Sequence, residues 1–109
     1  MTLINLTPHA IKVAAEDGSI VLEIAASGST ARCAASSETV GEIDGTPVVR
    51  SAFGPVEGLP EPIEGTVYIV SSMVAQQCAG REDVVAPDTG PTAIREKGQV
   101  VAVKRFQRF

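Results

Sequence analysis

Tryptophan is absent from the 109 residues, and one tyrosine and three phenylalanines are the only aromatic side chains. Aromatics make up 4% of a chain that is 44% hydrophobic, so the core must be built from Val, Ile, Leu and Ala, which offer less area per side chain. The length fits a single domain spanning residues 1–109. Histidine occurs once and cysteine twice, at Cys33 and Cys78, with no Cys-x-x-Cys spacing. That set gives no usual zinc pattern, and the acidic residues form no calcium loop, so no metal and no cofactor are expected. Gly54, Gly58 and Gly65 punctuate a proline-rich stretch and match neither the P-loop nor the dinucleotide fingerprint. Alanine-rich surroundings make the two cysteines free buried thiols in this reading, used as small hydrophobes. No run approaches the length of a membrane span, and Met1 to Asn5 has neither a basic nor an apolar leader, so a membrane partner is not expected and the expected location is cytoplasmic.

Charge is unevenly placed. Residues 1–94 carry 4 Lys/Arg against 12 Asp/Glu, whereas residues 95–109 carry 5 against 1, so an acidic body is followed by a basic tail. Wrapping nucleic acid needs a broad basic face, which the body lacks, so a nucleic-acid partner is not expected. Arg95, Lys97, Lys104, Arg105 and Arg108 read as positive charge guarding a strand edge against aggregation.

Short β-branched runs separated by turn signals dominate the chain. Leu3 to Leu6 reads as a strand stopped by Thr7-Pro8. Ile11 to Ala15 and Ser19 to Ile24 flank Glu16-Asp17-Gly18, and Val40 to Ile43 and Thr46 to Phe53 flank Asp44-Gly45, two hairpin signals. Ala31 to Ala35 is a weaker strand candidate. Gly54 to Gly65, with three prolines and three glutamates, reads as an ordered Pro/Gly-rich surface loop pinned by Val56, Leu59 and Ile63. Thr66 to Val70 is the strongest strand. A helix follows over about residues 72–79, with Ser71 or Ser72 as N-cap and Gly80 as its stop. Thr92 to Arg95 and Gln99 to Phe106 form a last hairpin around Glu96-Lys97-Gly98. The expected class is mainly β, a compact antiparallel domain, barrel-like or a bent sandwich, with one short helix.

Chemistry-bearing residues gather in two places. Arg81, Glu82 and Asp83 follow the helix, and an arginine fork suits a phosphate or carboxylate. Ser71 and Ser72 open the helix, where leading amides favour an anion. His9 is the only side chain with an unperturbed pKa near neutrality, which makes it the candidate general acid/base. A Ser71, His9, Asp83 triad can be written on paper, but no Gly-x-Ser-x-Gly elbow accompanies it. An Arg81–Asp83 pair fixing the helix exit is the structural alternative for that cluster.

The residues Asn5-Leu6-Thr7-Pro8-His9, Gly58-Leu59-Pro60, Gly65 to Ser71, and Arg81-Glu82-Asp83 with Pro87 resemble a family of small, largely uncharacterised proteins of bacteriophages, prophages and bacterial genomes. The resemblance covers most of the chain. It implies a phage-related accessory role and directs attention to Asn5, Thr7, His9, Tyr68, Ser71, Arg81 and Asp83 as ligand-binding residues. The expected function is a binding module for a small polar or anionic ligand, nucleotide-derived molecules among them. Two alternatives stand beside it: an enzyme on a nucleotide-like substrate, with His9 as acid/base and Arg81 stabilising charge, and a structural or inhibitory module meeting a protein partner or further copies of itself.

Overall fold

Proline, Asp-Gly turns and one serine cap divide the chain into ten strands and a helix, described for all 109 residues by a computed structural model. The strands are β1 (Thr2–Asn5), β2 (Ile11–Ala14), β3 (Ile20–Ile24), β4 (Arg32–Ile43), β5 (Thr46–Glu57) and β6 (Thr66–Ile69); the helix α1 (Ser72–Gln77) follows; and β7 (Val84–Pro87), β8 (Ile94–Glu96), β9 (Gln99–Ala102) and β10 (Phe106–Gln107) complete the chain. The molecule is mainly β with one short helix, as expected.

A four-stranded sheet in the order β1-β6-β7-β10 forms the middle layer. Its inner pairs, β1 with β6 and β6 with β7, are parallel. Antiparallel pairing therefore holds for the hairpins and for β7 with β10, but not for the centre of the molecule. The connection between β6 and β7 carries α1, the kind of crossover that parallel neighbours require. No closed barrel forms among these pairings, since the ten strands are divided among four separate sheets.

Both faces of the middle sheet are covered, so its strands alternate between two cores instead of between core and water. Tyr68, Val70, Val84 and Ala86 point with Leu6 towards α1, Val74 and Ala75. Ile69 and Val85 point the other way, to Ile11, Ile24 and Val103 from the hairpins below. Cys33 and Cys78 are free thiols, half-buried against the α1-side core, and burial pushes the Cys78 thiol up from its ordinary value.

The hairpin of β4 and β5 departs from this body. Sixteen residues are buried in the whole chain and none lies between Arg32 and Glu57. Only Cys33 and Val56, paired at its root, join the core. The expected break at Gly54 does not occur: Gly54 to Glu57 continues β5, because the proline there stands on an edge strand that needs no donor. The Pro/Gly-rich loop is thus confined to the residues after Glu57. At the tip, Asp44 (φ 49°) and Gly45 (φ 81°) give the turn that matches strand twist. The radius of gyration is 16.3 Å, against about 13 Å for a compact chain of this length, and the arm accounts for the excess.

Gly58 fixes the arm to the body. It has φ 82°, and a Cβ there would lie 2.7 Å from the Thr30 carbonyl oxygen, so the strand leaving the arm passes directly over the strand entering it. Only glycine meets both conditions.

Candidate functional site

Asn5 is 1% exposed and its amide is fully engaged. Nδ2 donates to the carbonyls of His9 (2.8 Å) and Ile24 (3.1 Å), while Oδ1 accepts from Thr7 N (2.9 Å) and Thr7 Oγ1 (2.6 Å). The Thr7 hydroxyl also lies 3.0 Å from the His9 carbonyl. These bonds close the corner after β1 and leave Asn5 nothing to offer a ligand. Its contribution is the shape of the loop that presents His9.

That loop borders an open cavity of about 390 Å³ at the carboxyl ends of β1, β6 and β7. His9 and Lys12 stand on one side, Ser71 and Ser72 at the end of β6 on another, and Thr89 beyond β7 on a third. Ile11, Val100, Val101 and Val103 supply an apolar floor. No acidic residue lines it, and Lys12, with Glu23 opposite it on β3, is its one permanently cationic residue. Ligands favour this end of parallel strands because chain reversals there leave a crevice between connecting loops.

At the helix start the hydroxyl of Ser71 is already engaged. The helix has six residues, and Ser71 Oγ already accepts from Val74 N at 3.3 Å, so the serine serves as a cap. Ser72 Oγ receives a hydrogen bond from Gln107 Nε2 (3.3 Å), which ties the C-terminal segment to the cavity rim.

The rest of the expected site lies elsewhere. Asp83 precedes β7 and Pro87 ends it, so about 13 Å of extended strand separates Arg81 and Asp83 from the cavity. Arg81 forms a fork on Asp83, Nε to Oδ1 at 3.0 Å and a terminal nitrogen to Oδ2 at 2.6 Å, and donates again to the Pro60 carbonyl at 3.2 Å. Its hydrogen bond holds the Asp83 carboxyl below the ordinary carboxylate range. Tyr68 is wholly buried, and its hydroxyl donates to the Glu61 carbonyl at 3.1 Å. Arg81 and Tyr68 therefore both fasten the loop after the arm. The Ser71, His9, Asp83 triad does not assemble, and Arg81 stands at the opposite end of β7 from His9.

The structure thus brings Thr7, His9 and Ser71 together and separates them from Tyr68, Arg81 and Asp83. Lys12 is the charged cavity residue absent from the expected site, and Thr89 and the apolar residues were absent with it. The signal for Lys12 was alternation: Ile11 and Val13 turn inward on β2, which leaves Lys12 on the outer side three residues after His9. No three His, Cys, Asp or Glu side chains gather into a metal-binding group, and no helix is long and apolar enough to cross a membrane. Comparison with protein-family models, curated proteins and solved structures found no match to the chain.

Proposed function

We propose that the protein is a binding module that takes a small polar or anionic ligand in the cavity at the strand ends, within the phage-related accessory context that its motifs resemble. The observation that carries this reading is the lining: Lys12 and His9 border a cavity whose other walls are apolar residues and serines and threonines, with no acidic residue among them. An anion gains charge-assisted hydrogen bonds there, and an apolar or aromatic portion of a nucleotide-like molecule gains contact with Val100, Val101 and Ile11. His9 is exposed at the rim and serves as a donor, while Asn5 and Thr7 hold its loop in place.

Titration with inorganic phosphate and with adenosine monophosphate, followed by amide chemical shifts, tests the reading. Shifts confined to Thr7–Lys12, Ser71–Ser72 and Val100–Val103, and lost in Lys12→Glu, are the expected result. Equal shifts around Arg81 and Asp83, or no response at millimolar ligand, would reject the cavity as the site.

A further inference from the structure

A two-stranded ribbon standing alone in water is marginally stable, because neither face has a layer to pack against. The arm of β4 and β5 is such a ribbon, with twelve residues in each strand and no buried residue along it. Its ladder is regular from Ala35 to Thr39 and from Val49 to Phe53, the register shifts falling outside those stretches. Directly opposed residues share a face, so one face carries Ala35, Ser37 and Thr39 beside Phe53, Ser51 and Val49. The other carries Glu38 opposite Arg50. The first face is uncharged in this stretch yet exposed, with Phe53 at 39% and Val49 at 49% of full exposure.

We infer that this uncharged face docks on the same face of a second copy of the chain. Side-chain size supplies the argument. Along the face β4 carries nothing larger than Thr39, whereas β5 carries the bulky Phe53. A two-fold axis parallel to the strands lays β5 of each copy over β4 of the other, with Phe53 over the partner's Ala35, Ser51 over the partner's Ser37 and Val49 over the partner's Thr39. Phe53, the one large side chain of the face, then meets the smallest, Ala35, while Ser meets Ser and Val49 meets a Thr39 of similar shape, and the contact is self-complementary, as a two-fold interface must be. A two-fold axis across the strands would instead stack Phe53 on the partner's Val49 and leave a gap between the partners' small strands. One face of a ribbon buries less than the roughly 800 Å² per partner of a standard interface, so the dimer is concentration-dependent.

Sedimentation equilibrium over low to high micromolar protein tests this. A monomer–dimer equilibrium is expected for the full chain, weakened by more than about tenfold in Phe53→Glu and Val49→Glu. Ala52→Glu, on the opposite face, should leave it unchanged. Circular dichroism melts identify any variant that fails to fold, and Ser51→Glu then replaces it. A wild-type chain that stays monomeric throughout, or dissociation by Ala52→Glu as complete as by Phe53→Glu, would overturn the inference.

Discussion

The body and the arm are built from the same kind of strand and are held by different things. In the body, β6 is four residues long and touches packed layers on both faces; in the arm, β4 and β5 are twelve long and touch chiefly each other. The body's strands are secured by burial, so their polar groups are accounted for one by one, as at Asn5. The arm's strands are secured by ladder hydrogen bonds and a well-matched turn. Strand length therefore says little about stability here, and layer count says much.

The largest test of this contrast is in the body. Asn5→Ala strands the Ile24 carbonyl and the Thr7 amide and leaves the His9 carbonyl only the Thr7 hydroxyl, and should lower unfolding free energy by about 3 kcal/mol in urea titration. A loss under about 1 kcal/mol would mean that the corner relaxes or hydrates. Gly58→Ala acts at the junction between the two regions. Positive φ and the approach to Thr30 together should cost about 2 kcal/mol, measured as a lowered melting temperature.

Arg81→Ala removes the fork on Asp83 and the tie to Pro60, with an expected loss of about 1 kcal/mol. The pair also fixes a pH dependence. Asp83 has a folded pKa depressed from 3.8, so its contribution is fully present above that value and disappears as pH falls through the lower folded value. Acid titration of stability should therefore be shallower below about pH 4 in Asp83→Asn than in the parent. The smallest effect belongs to the arm tip. Replacing Asp44-Gly45 by Ala-Ala should change global stability by less than about 0.5 kcal/mol while speeding amide exchange from Val40 to Val48 at low protein concentration. Unchanged exchange there, with a global loss above about 1 kcal/mol, would show that arm and body unfold together.

Much of the local structure was legible in the sequence. Asp-Gly at 17–18 and 44–45 marked the first two of the three hairpins, Ser71 capped the helix, and Thr66 to Ile69 is a core strand. The parallel direction of β6 and β7 was not legible, because alternation reports which faces are covered and is silent on the direction of the neighbour. The arm was hidden by Gly54-Pro55, which breaks a central strand and is harmless on an edge. The candidate site divided for a related reason. Ser71 and Arg81 are close in sequence, but the crossover that contains them begins at one end of the sheet and finishes at the other.

The meeting of Gly58 with Thr30 and Ala31 bears on how such a gene can change. Because the chain leaves and re-enters the body at one point, the arm beyond its Cys33–Val56 root behaves as a cassette whose length can change without moving the body. Adding one residue to each strand would lengthen the ribbon by a rung and turn its outer segment over; adding two would lengthen it with both faces preserved. Viable length variants of the arm should therefore differ by even steps, a parity rule written by the pleat and readable in any set of relatives.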